Sequence, residues 1–135
     1  MTPELITKSV NRQKYINYLK KADQFYKAMK LSYDNKIWNA CVVNAIHCAI
    51  SCSDALTVFY LGFRYSGTKH HDVLKLLQRI AIDKSELNKK IQQISTLISI
   101  KTLAEYEDRL MNEKDAKNAK KSCDRIYLWM NEKLK

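Results

Sequence analysis

The sequence predicts an all-α fold, an up-and-down bundle of about five helices. Turn-forming residues are scarce, because the 135 residues include only two glycines and one proline, whereas an all-β fold needs many turns. Leu, Ile, Ala, Lys and Glu, which favour helix, are common. Apolar residues also recur at steps of three and four, the spacing of amphipathic helices. A chain of this length fits one unit, so residues 1–135 are predicted to form a single helical domain.

The first two helices are predicted on residues 15–33 and 35–60. From Tyr15 the apolar residues mark one face of a helix of about six turns, and lysines occupy the other face. These apolar residues are Tyr15, Tyr18, Leu19, Ala22, Phe25, Tyr26, Met29 and Tyr33. Asp34 can then supply the N-cap oxygen of the second helix. Because apolar residues surround that second helix on nearly all sides, it is predicted to be the central one.

Gly62 and Gly67 bracket the connection to a third helix. Gly62 suits the left-handed conformation that often ends a helix. Thr68 is the predicted N-cap of a third helix that continues to about Ala81. Its buried side is predicted to contain Val73, Leu74, Leu77, Ile80 and Ala81.

Two more helices follow. Asp83 and Glu86 have the spacing of a capping box and begin a fourth helix that ends near Lys101. Residues 102–112 fit either a helical turn or a connector, and Asn112 is the predicted N-cap of the last helix. The inward residues are Leu87, Ile91, Ile94, Leu97 and Ile98 in the fourth helix, and Ala116, Ala119, Cys123, Ile126, Met130 and Leu134 in the last.

The chain is strongly basic, with a formal net charge of +10 and a pI near 9.5. Such a surface attracts phosphate in nucleic acid, nucleotides or anionic lipid; alternatively, the lysines only solvate the surface. No window contains eighteen consecutive apolar residues, and residues 1–15 lack the apolar block of a signal peptide. The sequence therefore predicts a cytoplasmic protein that does not contact a membrane.

The four cysteines raise the alternatives of disulfides, a metal site or buried thiols. No pair has the C-x-x-C spacing of zinc or redox motifs. Cys41, Cys48 and Cys52 share one helix face, but Cys41 lies about 10 Å along the axis from Cys48, so one ion cannot bind all three. Buried thiols are the preferred interpretation, and no metal or cofactor is predicted.

Four polar residues form a stripe on the otherwise apolar second helix. Asn44, His47, Ser51 and Asp54 are spaced three, four and three apart, so they lie within a sector of about 80°. Burial without partners costs on the order of a few kcal/mol for each such group. Two interpretations follow: a ladder of hydrogen bonds to a neighbouring helix, or the floor of a functional site that these residues support.

Arg64, His70 and His71 follow that helix and surround the turn. A guanidinium is a permanent cation that binds phosphate with two hydrogen bonds. The histidines are predicted in the first turn of the third helix, where backbone N–H groups favour an anion and disfavour imidazolium. A neutral imidazole near phosphate can act as a general base. The three residues thus fit a phosphate-handling site, or else a capping contact and a surface ion pair.

Helical phase separates the two histidines. His70 shares its face with apolar residues such as Leu74, whereas His71 shares its face with Lys75. His70 is therefore predicted to point toward the bundle and to form the catalytic pair with Arg64, while His71 supports that pair from the solvent side.

Candidate RNA contacts lie on both sides of the fourth helix. Lys69 adjoins the histidines, and Lys101, Tyr106 and Arg109 supply two cations and a phenol ring that can stack or donate a hydrogen bond. The alternative is structural: a lysine near a helix C-terminus and a buried tyrosine.

The same residues resemble the HEPN superfamily, small helical-bundle domains of prokaryotic toxins, defence proteins and RNA-processing enzymes. The resemblance extends from about Tyr15 to Leu134. It rests on NAIHCAISCSDALT in the second helix, LGFRYSGTKHHDVLKLL across the loop and KTLAEYEDR before the last helix. Many active members have an arginine followed, after four to six residues, by a histidine, and five residues separate Arg64 from His70.

The resemblance implies metal-independent RNA cleavage, in which a ribose 2′-hydroxyl attacks the neighbouring phosphate and leaves a cyclic phosphate end. Arg64 would stabilise charge on the phosphoryl oxygens, and His70 would move the proton. It also implies a two-fold homodimer with a composite active site, a toxin, defence or stress role, and an antitoxin or other protein partner.

The sequence departs from the family pattern at Tyr65, because active members often have a polar residue after the arginine. His71 also satisfies the permissive spacing, with six intervening residues. The alternative function is a catalytically inactive HEPN-like module that binds RNA, a nucleotide or a protein partner.

Overall fold

The computed structural model describes residues 5–134, which form a helical bundle with one small sheet. Within that range the helices are α1 (Tyr15–Asp34), α2 (Trp38–Leu61), α3 (Asp72–Leu77), α4 (Lys84–Ser99), α5 (Lys101–Tyr106) and α6 (Glu113–Leu134). The strands are β1 (Thr7–Ser9) and β2 (Phe63–Tyr65), and a 3₁₀ turn spans Arg12–Lys14. The all-α class is confirmed, and the segment 102–112, predicted as a helical turn or a connector, contains both: α5 ends at Tyr106 and a connector leads to α6.

α2 is the central helix, as predicted. α1 packs along it most extensively, and α3, α4, α5 and α6 also contact it. Two of its buried hydroxyls bond within the helix: Ser53 Oγ donates to the Ala49 carbonyl at 2.9 Å, and Thr57 Oγ1 donates to the Asp54 carbonyl at 3.3 Å. By length and composition α2 could cross a membrane, but 67% of its most apolar window is buried inside the bundle. Such burial is typical of the core helix of a soluble protein.

The two strands are an addition to the predicted elements. β1 pairs antiparallel with β2, and Lys8 lies directly opposite Arg64. Val10 N–H extends the ladder by donating to the Gly62 carbonyl at 2.9 Å. Strands of three residues contain too little alternation for a period-two pattern to reveal them. The segment before α1 is thereby tied to the segment that leaves α2.

The start of α2 differs from the prediction. Asp34 is the last residue of α1 and not the N-cap of the next helix. The chain first turns through Lys36, which has a φ of 59°, and α2 begins at Trp38 without a side-chain cap. The turn required to pack α2 against α1 therefore replaces the Asp34 cap that the local sequence favoured.

Helix α3 is shorter than predicted. It begins at Asp72 rather than directly after Thr68, and it ends at Leu77 rather than near Ala81. Buried side chains in and after this helix are Val73, Leu76, Leu77 and Ile80. Ala81, predicted to face inward, is exposed. The residues before α3 instead form a turn around a buried tyrosine.

The caps of α4 and α6 are confirmed. Glu86 N–H donates to Asp83 Oδ2 at 3.3 Å at the start of α4. At the start of α6, Asp115 N–H donates to Asn112 Oδ1 at 2.9 Å, and Asn112 N–H donates to Asp115 Oδ2 at 3.0 Å. This reciprocal pair satisfies N–H groups that the first helical turn leaves free. The predicted inward residues of both helices are buried, except that Leu134 is half-buried.

The four cysteines are buried free thiols, as preferred from the sequence. Cys48 Sγ lies 4.0 Å from Cys52 Sγ and donates to the Ala22 carbonyl of α1 at 3.5 Å. Burial raises the pKa of Cys41 to about 11, which keeps that thiol protonated. Within residues 5–134, no three His, Cys, Asp or Glu side chains are placed to hold one metal ion.

Two tyrosine–aspartate pairs join α1 to α6. Tyr26 Oη donates to Asp124 Oδ1 at 2.7 Å, and Tyr127 Oη donates to Asp23 Oδ1 at 2.5 Å. The two rings stack with their centroids 3.9 Å apart. Burial, followed by the hydrogen bond to Asp23, raises the pKa of Tyr127 to about 12. The phenols therefore stay protonated through neutral pH and hold the first and last helices together.

Replacing the α6 cap should measurably destabilise the bundle. Asn112→Ala is expected to lower the free energy of unfolding by about 1 kcal/mol, because it removes one half of the reciprocal cap. Urea unfolding followed by circular dichroism measures the change. Asn118→Ala, at an exposed position inside α6, is the matched control and should be neutral or slightly stabilising, since alanine is the better helix former. Equal loss in both variants would contradict a specific capping role.

Candidate functional site

A cleft of about 720 Å³ lies between α1 and α2 and reaches β2. Its walls are Tyr18, Lys21, Gln24, Phe25 and Ala28 of α1, Asn44, Ser51 and Asp54 of α2, and Arg64 of β2. Two cations and several polar groups thus share the cleft with two aromatic rings. The volume falls in the range of about 300–1,000 Å³ that is typical of small-molecule sites.

The polar stripe of α2 divides into two halves. Asn44 Nδ2 lies 3.5 Å from a serine hydroxyl of α1, and His47 Nε2 lies 2.8 Å from Glu105 Oε1 of α5. This first half is the hydrogen-bond ladder that the sequence allowed. Ser51 and Asp54 continue the stripe into the cleft, where they face Arg64 and the α1 wall, and Asn44 of the first half lines the cleft as well.

Arg64 lies in β2, directly after the turn that ends α2. Gly62 closes α2 with a φ of 75°, the left-handed conformation expected at this point. The pairing of β2 with β1 then places the Arg64 backbone opposite Lys8. The guanidinium donates from Nη1 to the Tyr65 carbonyl at 3.1 Å. Arg64 is therefore a cation whose backbone and side chain are both fixed.

A smaller pocket, of about 120 Å³, adjoins the cleft and brings Arg64, His70 and Asp54 together. Its other walls are Ile50, Tyr65, Ser66, Gly67 and Val73. Arg64 and Asp54 line both the pocket and the larger cleft. The pocket therefore joins the predicted catalytic pair to one of its predicted supporting residues.

The loop from Arg64 to His70 wraps around the ring of Tyr65. This ring is buried, and its hydroxyl accepts a hydrogen bond from Lys69 N–H at 2.8 Å. Gly67 packs so closely that an added Cβ would lie 2.3 Å from the Tyr65 hydroxyl oxygen. The side chain after the arginine thus supports the loop from inside, while Lys69 is exposed at its surface.

The two histidines precede α3 and do not lie in its first turn, which corrects the predicted helix start. His70 is half-buried and lines the pocket, whereas His71 is exposed and its Nε2 lies 3.2 Å from Ser99 Oγ. Burial, and then the positive charge of Lys101, lowers the pKa of His70 below its usual range. The neutral imidazole is therefore its main form at physiological pH.

Asp54 is the acid of the pocket. Burial raises the pKa of its carboxyl to about 7, although the charges of Arg64 and Lys21 oppose the rise. A carboxyl that exchanges its proton near neutral pH therefore lines the same pocket as a neutral histidine. Perturbed groups of this kind are enriched at functional sites.

The candidates in and after α5 lie outside the pocket walls. Lys101 has only 14% of its side chain exposed, and its Nζ lies 2.6 Å from Glu105 Oε2. The Tyr106 ring is 74% exposed, so it is not the buried tyrosine of the structural alternative. Arg109 pairs with an aspartate of α6 at 3.0 Å. The Lys101 and Arg109 side chains are thus both engaged within the protein.

A profile of the HEPN domain matches residues 15–133. The chain belongs to the HEPN family. Its fold is similar to that of TT1696 from Thermus thermophilus, with a TM-score of 0.70 and 14% identity over 89% of this chain and 98% of that one. It is also similar to ST0689, an archaeal HEPN homologue, with a TM-score of 0.66 and 14% identity over 90% of this chain and 98% of the other. A search among curated proteins finds no match.

Three features of this HEPN site were missed in the sequence. Glu105 bonds both His47 and Lys101, and the only local signal for it was its position four residues after the lysine. Lys21 lies in the cleft, but nothing in the sequence separates it from the other lysines of the first helix. β1 precedes the residues that match the HEPN profile.

The raised pKa of Asp54 predicts a pH-dependent penalty on stability. Between about pH 4 and 7 the folded carboxyl keeps a proton that the unfolded one has lost, so this group favours unfolding as the pH rises. Asp54→Asn should therefore raise the melting temperature at pH 8 by about 3 °C or more, and by much less at pH 4.5.

Thermal melting followed by circular dichroism at both pH values measures this difference. Asp108→Asn is the matched control, because Asp108 is exposed and should show little difference between the two pH values. A melting temperature that falls at pH 8 in Asp54→Asn would show that the ionised carboxylate is stabilising instead.

Proposed function

We propose that this chain is a metal-independent HEPN-type RNA endonuclease in which Arg64 and His70 act on one phosphate. The observation that carries the proposal is their common pocket, which Asp54 also lines. The spacing of the motif alone does not determine where the histidine side chain lies. In the common pocket, by contrast, His70 has a cation and an acid in the same small site. The net charge of +10 favours a polyanionic substrate such as RNA.

In the proposed reaction, His70 accepts the proton of a ribose 2′-hydroxyl, and the 2′-oxygen forms a bond to the adjacent phosphorus. The bond between phosphorus and the 5′-oxygen of the next nucleotide breaks, which leaves a 2′,3′-cyclic phosphate and a 5′-hydroxyl. The departing oxygen takes a proton from the Asp54 carboxyl, which is part-protonated near pH 7. The lowered pKa of His70 suits its role, because neutral imidazole is the form that accepts a proton.

The proposed role of Arg64 is to stabilise the negative charge that develops on the phosphoryl oxygens during the reaction. A guanidinium has five N–H donors in a planar fork. The Tyr65 carbonyl accepts a hydrogen bond from Nη1 at 3.1 Å, which orients the fork and leaves further donors for phosphate. A preorganised donor of this kind contributes roughly 100- to 1,000-fold to the rate.

The RNA strand is assigned to the adjoining cleft. Lys21 and Arg64 provide positive charge for its phosphates, and the Tyr18 and Phe25 rings provide surfaces on which unpaired bases can stack. Single-stranded RNA fits this arrangement better than a duplex, because only unpaired bases expose their faces to aromatic side chains.

We also propose a two-fold homodimer that combines two half-sites into one active site. Two exposed apolar residues, Ile6 (62% exposed) and Phe63 (40% exposed), lie on or beside the small sheet that carries Arg64. A second copy would cover them and bring two phosphate-binding sites together. The corresponding biological role is an RNase of a toxin, defence or stress system, with an antitoxin or other protein partner.

An inactive HEPN-like module that binds RNA, a nucleotide or a protein is the second candidate. It is favoured by the small volume of the pocket, about 120 Å³, and by the internal hydrogen bond of Arg64. Incubation of purified protein with mixed RNA in EDTA distinguishes the two candidates. Fragments with cyclic phosphate ends support the nuclease, whereas binding without cleavage under all ionic conditions supports the module.

Substitution of the proposed catalytic pair should abolish cleavage without unfolding the bundle. Arg64→Ala and His70→Ala are each expected to reduce the cleavage rate by roughly 100-fold or more, because each removes a charge stabiliser or a general base. His71→Ala is the matched control and should be much milder, because its ring is exposed beside Ser99. Single-turnover cleavage of labelled RNA gives the rates, and circular dichroism checks folding. Full activity in Arg64→Ala would remove the proposed site.

The dimer is tested by its mass. Light scattering at micromolar concentration should give the mass of two 15.8 kDa chains. Phe63→Lys should shift the protein toward a monomer and reduce cleavage, because it places a charge in the proposed contact. A stable 15.8 kDa monomer with full activity would contradict a composite active site.

A further inference from the structure

Three ionisable side chains from α2 and α5 form a cluster that the proposed reaction does not use. His47 Nε2 lies 2.8 Å from Glu105 Oε1, and Lys101 Nζ lies 2.6 Å from Glu105 Oε2. The exposed fractions of the Glu105 and Lys101 side chains are only 13% and 14%, and that of His47 is 36%. One carboxylate thus uses both of its oxygens to hold two basic groups in place.

Stability alone is a weak reason for this arrangement. An ion pair between residues four apart on an exposed helix contributes little to stability, whereas removing charges from water has a much larger cost for each ion. Apolar residues of similar volume would fill the same space at no greater cost. Nearly buried Lys101 and Glu105 therefore point to a role in the chemistry of their surroundings.

The cluster lies beside the turn that holds His70. On α2, His47 is one turn before Ile50 and two turns before Asp54, and both of those residues line the pocket with His70. On the other side, His71 Nε2 lies 3.2 Å from Oγ of Ser99, the last residue of α4, so the histidine turn meets α4 two residues before Lys101. His70 thus shares a pocket with Ile50, one turn after His47, and adjoins His71, which contacts Ser99 two residues before Lys101.

We propose that Glu105 is a positioning residue for His70: by bonding His47 and Lys101 at once, it fixes a nearly buried cation beside the reactive imidazole. This proposal rests on the nuclease function proposed above. Lys101 thereby acts through its electric field on the proton-accepting group, and RNA need not contact it.

The electrostatics around His70 support this role. Burial is the largest influence that lowers its pKa, and the charge of Lys101 is the next. Glu105 opposes them, whereas His47 and His71 act in the same direction as Lys101. Arg64 and Asp54 are the charged groups of the pocket itself. Lys101 and Glu105 thus act on the same imidazole with opposite signs.

Lys101 and Glu105 move the pKa of His70 in opposite directions, so removing each charge tests the proposal. A purely structural role of Glu105 would not produce opposite shifts. Lys101→Met removes the cation, so the acid limb of the pH profile of kcat/KM should move to higher pH. Glu105→Gln removes the anion and keeps an amide that can still bond Lys101, so the limb should move to lower pH. Each shift is expected to be roughly half a pH unit, the scale of one unit charge in a partly solvated site. At a pH well below the apparent pKa of that limb, the rate should change by about threefold in opposite directions.

Lys120→Met is the matched control, because Lys120 forms an ion pair with Asp124 four residues away on α6. Its pH profile should coincide with that of the wild type. The same three variants are also measured by NMR titration of the His70 ring without RNA, which reads the imidazole independently of cleavage.

Opposite shifts in the NMR titration support the positioning of His70 by Glu105, and opposite shifts in the pH profile extend it to catalysis. If the wild type cleaves no RNA but the NMR shifts are opposite, the nuclease proposal fails and the structural claim stands. Shifts of the same sign, or none, in folded Lys101→Met and Glu105→Gln would overturn the inference even when the wild type cleaves RNA.

Discussion

The burial of α2 is the constraint on which the rest of the structure depends. A helix that is apolar on nearly all sides is stable in water only when other elements cover it, and each other helix within residues 5–134 contacts it. The polar residues of α2 must then either bond to a neighbouring helix, as His47 does, or face an opening, as Ser51 and Asp54 do. The cleft therefore lies between α1 and α2, where apolar contact gives way to polar side chains.

The way in which α2 ends decides where the proposed catalytic residues lie. Gly62 allows the chain to reverse, and the pairing of β2 with β1 holds Arg64 at the mouth of the cleft. The buried ring of Tyr65 then directs the loop so that His70 returns to the same face of α2. Groups separated by several residues thus meet in one pocket because a small sheet and one aromatic ring fix the path between them.

The chemistry of the pocket follows from burial more than from net charge. Burial raises the pKa of Asp54 to about 7 and lowers that of His70. The Asp54 carboxyl can therefore donate a proton near neutral pH, and the His70 imidazole, whose pKa lies below its usual range, is in the form that accepts one. A permanent cation, Arg64, lines the same pocket. This combination of fixed and titratable charge is suited to acid–base chemistry on a phosphate.

By itself the sequence determined the all-α class, the central helix, the caps of α4 and α6 and the buried thiols, and it nominated Arg64 and His70 as a candidate pair. Each of these depends on periodicity, on chemistry within a few residues, or on a motif of short spacing. Only the tertiary structure decided the pairing of β1 with β2, the short α3, the pocket that contains Asp54 and the bonds of Glu105 to His47 and Lys101. These features depend mainly on partners that are distant in the chain, and on burial that appears only when the helices pack.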